Sequence, residues 1–365
     1  MATLDQDLAR LCGQLIVGGF DGPELSPRFV RALAEGRRGG AILFKRNLPD
    51  LASAARLSAA IAAAAPADLP PFLGVDQEGG RVSRLAPPFL VLPPMRTLGE
   101  LDGDGARGAA DEVELAALGF NLNFAPVLDV DSNPENPVIG DRSFGRDPDL
   151  VARAGVAFAE GLADAGVLAC GKHFPGHGDT SVDSHFDLPV ISHDRARLDR
   201  VELPPFRAAA AAGLATMMTA HVVCEALDPG VPATLSRAIC TDLLRGEIGF
   251  SGVLFSDDLE MAAVAARYPI EESAVLAIAA GCDVLLVCKS EDLADRAHAA
   301  LVERARRDPA FLHRCREAAD RGLAARRRSP PRPLGQAAAT AILGSPASQA
   351  ILDEIARAAV HRGQA

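Results

Sequence analysis

The stretch Leu168-Ala-Cys-Gly-Lys-His-Phe-Pro-Gly-His-Gly-Asp-Thr-Ser-Val-Asp-Ser-His185 joins a short apolar run to a polar loop. The run Leu168–Gly171 is typical of a buried strand, and the loop after it carries one lysine, three histidines and two aspartates. So many titratable groups would be costly inside a core and are not needed on a plain surface. We therefore expect a buried strand that is followed directly by an active-site loop.

The chain contains seven further runs of this kind, separated by longer alanine- and leucine-rich segments with helical spacing. These runs are Leu15–Gly19, Gly40–Phe44, Phe72–Val75, Leu122–Ala125, Thr216–Ala220, Gly252–Ser256 and Asp283–Val287. Several are apolar on both faces, which is typical of a parallel sheet covered by helices. Eight strands favour closure over an open doubly wound sheet, so the sequence predicts an α/β fold with a TIM-like (β/α)8 barrel.

Helices are predicted between the strands, and a proline or glycine follows each of the clearest ones. These helices are Leu51–Ala65, Ala106–Leu118 and Leu150–Ala165. The charged segment Asp292–Arg328 is also predicted to be helical, and an Arg- and Pro-rich linker separates it from a final helix at Gln349–His361. We expect one catalytic domain over residues 1–325, with the linker and a C-terminal helix in residues 326–365.

The composition limits the partners and the location of the protein. A net charge of −11 argues against nucleic acid or an anionic membrane surface as a partner. No apolar run reaches the roughly 18 residues of a membrane span, and the N-terminal segment lacks the basic start and long apolar stretch of a signal peptide. The seven cysteines show no CxxC and no paired spacing, as expected of reduced thiols. We therefore expect a cytoplasmic protein without membrane or nucleic-acid partners.

Polar side chains follow the third to the seventh predicted strands. They are Asp76-Gln-Glu-Gly-Gly-Arg-Val-Ser-Arg84, then Asp129, Asp131, Asp141 and Arg142, then the loop up to His185, His221 and the pair Asp257-Asp258. Because the carboxyl ends of barrel strands open on one mouth, we expect one shared site. Strand alternation predicts that only one of Asp257 and Asp258 faces the barrel axis, and the sequence leaves open which. The other is expected to cap a helix that begins near Leu259.

The loop itself divides into two parts. Lys172 and His173 directly continue the strand, whereas Asp183 and His185 follow a bend rich in proline and glycine. Asp183 and His185 stand two residues apart, which in an extended loop places both side chains on one side. A carboxylate beside an imidazole orients the ring and favours its protonated form, which suits a histidine that transfers protons near neutral pH. The loop histidine and aspartate between these two parts, at positions 177 and 179, are interpreted as loop structure.

Two other kinds of site fit parts of this pattern. Gly166–Lys172 has the spacing of a phosphate-binding loop, but His173 replaces the Ser or Thr that would hold magnesium, and the predicted strand overlaps the motif. The loop histidines together with Asp257 offer ligands to a divalent metal, as in a metal-dependent barrel hydrolase. However, His173 and His177 are separated by a proline and a glycine, unlike the helical pair that metal sites commonly use. We therefore expect no metal and no cofactor, and we retain the metal hydrolase as an alternative.

Five long motifs, in order, resemble glycoside hydrolase family 3, and more closely its single-domain β-N-acetylglucosaminidases of cell-wall recycling. They are Asp76-Gln-Glu-Gly-Gly-Arg-Val-Ser-Arg84, Asn121-Leu-Asn-Phe-Ala-Pro-Val-Leu-Asp129, Gly140-Asp-Arg-Ser-Phe-Gly145, the segment Lys172–Gly178 with Asp183-Ser-His185, and Phe255-Ser-Asp-Asp-Leu-Glu-Met261. The resemblance covers roughly Leu11 to Val287. It implies a retaining mechanism on a TIM-like barrel, with no cofactor.

The resemblance also implies a role for each matching residue. It makes Asp257 the nucleophile and His185 the general acid and then the base, with Asp183 as its partner. It assigns the binding of the terminal N-acetylglucosamine (GlcNAc) to Asp76, Arg84, Arg142, Lys172 and His173. The implied enzyme is a cytoplasmic, monomeric, exo-acting β-N-acetylhexosaminidase. Its expected substrate is a small carbohydrate, the GlcNAc-terminated muropeptide GlcNAc-1,6-anhydro-MurNAc-peptide.

One chemical feature keeps alternatives open. Retaining glycosidases usually employ two carboxyl groups about 5 to 5.5 Å apart. Here a histidine takes the place of the acid, which avoids a second negative charge beside the nucleophile and leaves room for an incoming phosphate. Phosphorolysis, action on other β-glycosides and a catalytically silent sugar-binding protein therefore remain alternatives. The aglycone, the tolerance for N-acetylgalactosamine or glucose, and the role of the last 70 or so residues are not determined by the sequence.

Overall fold

The computed structural model, which describes residues 2–100, 113–184 and 187–363, contains a closed barrel of parallel strands. In chain order the strands are β1 Ile16–Gly18, β2 Gly40–Leu43, β3 Phe72–Val75, β4 Leu122–Asn123, β5 Leu168–Phe174, β6 Val190–Ile191, β7 Thr216–Thr219, β8 Val223–Cys224, β9 Val253–Asp258 and β10 Val284–Val287. The barrel runs β1-β2-β3-β4-β5-β7-β9-β10 and closes on β1. Each of the eight predicted strands corresponds to one barrel strand, so the predicted TIM-like barrel is confirmed.

Two short strands lie outside the barrel and were not predicted. β6 and β8 pair in parallel, with Val190 opposite Val223 and Ile191 opposite Cys224. A strand of two residues shows no periodicity that could distinguish it from a loop. This small sheet connects the segments that leave β5 and β7 at the mouth of the barrel.

Helices precede the first barrel strand, lie between the strands and follow the last one. Their bounds are Ala2–Gly13, Pro27–Ala34, Leu51–Ala64, Met95–Gly99, Val113–Ala117, Pro148–Asp164, Arg195–Arg200, Pro204–Ala211, the π-helical segment Ala238–Glu247, Ala262–Ala265, Ile270–Ala280 and Glu291–Arg307. The helix predicted over Ala106–Leu118 is seen as Val113–Ala117, and its first part lies outside the described residues. Asp50 and Asp147 cap the helices that follow them, because their carboxylates accept backbone N–H groups of the first turn.

The barrel interior is filled by apolar side chains. Phe255 packs at 5.2 Å from Phe72 and at 5.4 Å from Phe124 between ring centroids, with the rings edge to face. Below them, Arg326 is fully buried, with its guanidinium 5.1 Å from the ring of Phe72. It donates hydrogen bonds to Gln14 Oε1 at 2.9 Å and to the Gly39 carbonyl at 2.8 Å. The lower end of the barrel is thus closed by packing, and access is left to the upper end.

Extra helices follow the barrel at the C-terminus, as predicted. They are Pro309–Arg328, Gln336–Ile342 and Pro346–Gly363, of which the middle one was not predicted. The predicted boundary between residues 325 and 326 falls inside the first of them. The buried carboxylate of Glu114 ties this segment to the barrel, since it accepts hydrogen bonds from the N–H of Leu90 and Gly344 and from the Ser348 hydroxyl. Within the described ranges, no helix has both the length and the apolar character needed to cross a membrane.

Candidate active site

A cleft of about 210 Å³ opens at the carboxyl ends of the barrel strands. Six of the predicted site residues line it: Asp76, Arg84, Arg142, Lys172, His173 and Asp257. They come from the ends of β3, β5 and β9 and from the long connection after β4, which lie far apart in the sequence. The expectation of one shared site is confirmed for these residues.

A network of opposite charges forms one wall of the cleft. The Lys172 ammonium contacts Asp76 Oδ1 at 2.7 Å and Glu78 Oε1 at 2.6 Å. Arg142 donates two hydrogen bonds of 2.8 Å to the two oxygens of Glu78, and Arg84 lies 3.4 Å from Asp76 Oδ2. Each carboxylate therefore holds two cations, and each cation is fixed in position.

The electrostatics keep this wall charged. Burial alone would raise the pKa of Asp76 and Glu78, but the nearby cations outweigh it, and the pKa values of both carboxyls are lowered. Burial would likewise lower the pKa of Lys172, yet the two carboxylates raise it. These groups consequently remain ionised at neutral pH. Such an arrangement offers strong hydrogen-bond donors and acceptors to hydroxyl groups, and the ion pairs already hold these side chains in position.

Glu78 lies in the stretch predicted at the shared site but has no predicted role, although the sequence carries a signal for one. Asp76 and Glu78 are alternate residues at the end of β3, so an extended backbone directs both to the same side. Glu78 is 1% exposed and connects Arg142 to Lys172. It is thus a structural partner of two predicted sugar-binding residues.

Asp129 belongs to the polar residues predicted at the shared site, but the sequence assigns it no role. It is fully buried, and its Oδ2 lies 2.6 Å from His173 Nδ1. Its Oδ1 also accepts the backbone N–H of His173 at 3.2 Å and of His177 at 2.7 Å. Burial would raise the pKa of Asp129, but its contacts with His173 and His177 lower it. Asp129 therefore fixes the ring of His173 and the start of the loop at once.

Both Asp257 and Asp258 are among the residues that line the cleft, whereas strand alternation predicts that only one of them faces the barrel axis. The pairing of β9 with β10 is irregular between Val284 and Leu286, which breaks the simple alternation at the end of β9. The helix expected near Leu259 begins only at Ala262.

The two aspartates have opposite electrostatic surroundings. Burial would raise the pKa of Asp257, but the nearby His221 and His173, the Asp258 N–H and Lys172 lower it. For Asp258 burial prevails and raises the pKa to about 7, helped by the charges of Glu260 and Asp257. One oxygen of Asp258 accepts the N–H groups of Glu260 and Cys288, each at 3.1 Å. Asp257 is thus the member of the pair that ionises at the lower pH.

Three other polar residues at the strand ends make structural contacts. His221 is fully buried behind the cleft wall, where its Nε2 donates to the Asp258 carbonyl at 2.9 Å. Asp131 contacts Arg96 at 2.7 Å, and Asp141 pairs with the half-exposed Arg81. These contacts stabilise the loops around the cleft.

The predicted acid–base segment is described in part. Asp183 is half-buried, and its neighbour Ser184 lines the cleft. His185 lies outside the described residues. Across the part of the chain that is described, no three His, Cys, Asp or Glu side chains come together in a way that could hold a metal ion.

Comparison with known proteins identifies the family. Residues 8–309 match the model of the glycosyl hydrolase family 3 N terminal domain. The chain belongs to glycosyl hydrolase family 3. A β-hexosaminidase of Thiobacillus denitrificans is 45% identical over 289 residues, which cover 77% of this chain and 79% of that protein. The family 3 member described here is therefore a glycoside hydrolase of the β-N-acetylhexosaminidase type.

Solved structures of family 3 proteins share the fold. A family 3 β-N-acetylglucosaminidase from a Paenibacillus species matches with a TM-score of 0.88 at 39% identity, covering 96% of this chain and 68% of that chain. NagZ from Neisseria gonorrhoeae, in complex with N-trifluoroacetyl-D-glucosamine, matches with a TM-score of 0.77 at 35% identity. That match covers 94% of this chain and 98% of the NagZ chain, so the family 3 likeness extends over almost all of both.

Proposed function

We propose that this enzyme removes terminal non-reducing GlcNAc from peptidoglycan fragments, acting from the chain end with retention of configuration. The observation that carries the proposal is the ionised carboxylate of Asp257 in a cleft whose wall is built from paired cations and carboxylates. The two solved relatives support the choice of sugar, because one is a β-N-acetylglucosaminidase and the other holds N-trifluoroacetyl-D-glucosamine.

The proposed reaction has two steps. Asp257 attacks the anomeric carbon while His185 gives its proton to the leaving oxygen, so a covalent glycosyl-enzyme forms and the aglycone departs. His185 then takes a proton from water, which attacks the same carbon and releases GlcNAc and the Asp257 carboxylate. Asp183 keeps the imidazole oriented. The lowered pKa of Asp257 supports its role, since a nucleophilic carboxylate must be ionised, whereas a pKa of about 7 leaves Asp258 largely protonated below neutrality.

The charged wall is proposed to bind the sugar hydroxyls and the acetamido group. An ammonium has three donors, and Lys172 uses two of them on Asp76 and Glu78, which leaves one for a hydroxyl. Asp76, Arg84 and Arg142 add acceptors and donors along the same wall. His173 lines the cleft and engages Asp129 through Nδ1, which leaves Nε2 for the sugar. The predicted sugar contacts are therefore compatible with the hydrogen bonds already made.

The finer features of the proposal concern the natural setting. A cytoplasmic, monomeric enzyme acting on GlcNAc-1,6-anhydro-MurNAc-peptides would supply GlcNAc and a shortened muropeptide to cell-wall recycling. Kinetic comparison of GlcNAc, GalNAc and glucose aryl glycosides tests the sugar, and comparison of chitobiose with the muropeptide tests the aglycone. A preference for glucose would refute the assignment to GlcNAc.

The decisive experiment replaces the nucleophile. Asp257→Ala is expected to lower kcat on 4-nitrophenyl N-acetyl-β-glucosaminide by about 1,000-fold or more with the fold intact, because no other group can form the covalent intermediate. Asp258→Ala is the matched comparison and should retain far more activity. An active Asp257→Ala with an inactive Asp258→Ala would reverse the assignment.

Activity that disappears with EDTA and returns with a metal ion would favour the metal-dependent hydrolase, and GlcNAc binding without turnover would favour a silent sugar-binding protein.

A further inference from the structure

His177 lies in the cleft wall, yet the proposed mechanism gives it no step. Its side chain is buried at 1% exposure, and its ring packs edge to face on His173 at 5.9 Å between centroids. Its Nδ1 lies 2.7 Å from Thr180 Oγ1, and its Nε2 lies 3.1 Å from Ser184 Oγ. Ser184 stands between Asp183 and His185 in the chain, so the contact reaches the predicted acid–base segment.

The hydrogen bonds around the ring are satisfied by one tautomer. With the Thr180 hydroxyl donating its single proton to the His177 carbonyl at 3.1 Å, Nδ1–H donates to the hydroxyl oxygen at 2.7 Å. Nε2 is then the bare nitrogen and accepts the proton of the Ser184 hydroxyl. Burial lowers the pKa of His177 to about 4, so the ring is neutral at neutral pH, as an acceptor must be. Asn136 reinforces the arrangement, since its Nδ2 donates to the His177 carbonyl at 2.8 Å.

Ser184 is also held from the opposite side of the cleft. Its carbonyl accepts the N–H of Ala263 at 3.2 Å. Ala263 lies in the short helix Ala262–Ala265, which directly follows the strand that carries Asp257. One residue thus receives the side-chain anchor from His177 and a backbone anchor from the nucleophile's own loop.

The base of the loop is rigid enough to act as a support. The backbone N–H of His177 donates to Asp129 Oδ1 at 2.7 Å. Gly178 lies so close to the backbone of Val130 that a Cβ atom at position 178 would come within 1.7 Å of the Val130 carbonyl oxygen. In contrast, Ser181 and Val182 are exposed at the tip of the loop. The chain therefore leaves a fixed base, crosses an exposed tip and is fixed again at Ser184.

We propose that His177 and Ser184 form a positioning pair that fixes Asp183 and Ser184 relative to the loop that follows the nucleophile's strand. The proposal rests on the proposed roles of Asp183 and His185 and adds a residue pair that acts through them. Because Ser184 directly follows Asp183 in the chain, fixing its backbone and hydroxyl restricts the positions that Asp183 can take. His177 is a positioning residue, since it moves no proton in the reaction itself.

The test compares Ser184→Ala with Ser181→Ala, a serine on the exposed tip of the same loop. Each variant is assayed with N,N′-diacetylchitobiose, whose leaving group needs protonation, and with the dinitrophenyl GlcNAc glycoside, whose leaving group does not. Ser184→Ala is expected to lower kcat on chitobiose about tenfold and on the dinitrophenyl glycoside less than about twofold, as for loss of one positioning hydrogen bond. KM and inhibition by GlcNAc should be unchanged. Ser181→Ala should match the parent enzyme throughout.

Two further measurements keep the result interpretable. The thermal unfolding midpoint of each variant is recorded, and Ser184→Cys, which keeps a weak donor of similar size, should fall between the alanine variant and the parent enzyme on chitobiose. Normal turnover of chitobiose by Ser184→Ala would overturn the proposal. Equal losses on both substrates together with weakened GlcNAc inhibition would also overturn it, because they would indicate a general structural defect.

His185→Ala is measured beside these variants to distinguish an error in the acid assignment from an error in the positioning role. If it shows the leaving-group dependence while Ser184→Ala does not, only the positioning role is wrong. If His185→Ala loses equally on both substrates, the acid assignment is wrong, and the positioning role falls with it. A selective loss in both variants supports both.

Discussion

Replacing Asp258 by asparagine should stabilise this protein at alkaline pH, although the residue stands next to the proposed nucleophile. In the folded protein, burial raises the pKa of Asp258 to about 7 from its ordinary value of 3.8. An unfolded chain releases this proton near its ordinary pKa, so the folded state binds the extra proton between these two values. Stability is therefore fully present at low pH and is lost as the pH rises from about 4 to about 7.

The magnitude follows from the difference between the two pKa values. At about 1.4 kcal/mol per pH unit, the free energy of unfolding falls by about 2 kcal/mol by about pH 5 and by about 4 kcal/mol by about pH 8. Asparagine has no charge to bury and keeps an oxygen that accepts the N–H groups of Glu260 and Cys288. Asp258→Asn should therefore gain roughly twice as much stability at the higher pH as at the lower.

Urea unfolding followed by circular dichroism at these two pH values measures the effect. Asp320→Asn, at an exposed position of the helix Pro309–Arg328, is the control and should change the free energy of unfolding by less than about 0.5 kcal/mol at both. An equal change of Asp258→Asn at both pH values, or a loss of stability at the higher one, would refute the reasoning. The same variant should keep substantial turnover, because its neighbour Asp257 supplies the nucleophile.

Four other outcomes are expected. Glu78→Gln should raise KM and the inhibition constant of GlcNAc about tenfold, because Arg142 and Lys172 lose the carboxylate that they share. The loss in kcat should be smaller, and Glu135→Gln on the surface is the control. Acid unfolding of the parent enzyme should set in below about pH 4. The pKa values of the buried wall carboxyls are lowered in the folded state, so the stability that these groups contribute is present above their unfolded pKa and is lost as the pH falls. The free energy of unfolding of Glu78→Gln should depend less steeply on pH. His185→Ala should lose much more activity on chitobiose than on the dinitrophenyl glycoside, and equal losses would count against the acid role. Under saturating phosphate, mass spectrometry for sugar 1-phosphate should decide between hydrolysis alone and phosphorolysis, and its absence would exclude the latter.

The barrel could be derived from the sequence because its signals are local. Each strand is marked by a short apolar run, and β3 was predicted with its observed bounds, Phe72–Val75. The polar residues at the strand ends could be grouped because a closed parallel barrel brings all such ends to one mouth. This rule placed Asp76 and Lys172, which are 96 residues apart, in the same cleft before any distance was known.

Local signals did not reveal how the cleft residues are paired. Which carboxylate Lys172 and Arg142 share depends on side-chain contacts across the barrel, so only the tertiary structure shows that Glu78 is their common partner. The irregular pairing of β9 with β10 likewise cannot be read from alternation within β9.

The sequence alone determined the (β/α)8 barrel, the mouth at which the chemistry lies and the motifs of the family, because periodicity and strand ends are properties of short segments. The tertiary structure alone decided that the pKa values of Asp257 and Asp258, identical neighbours in the chain, shift in opposite directions. It also decided that His177 supports Ser184. The two pKa shifts and the His177–Ser184 contact depend on burial and on partners from other parts of the chain, and a local sequence pattern does not predict them.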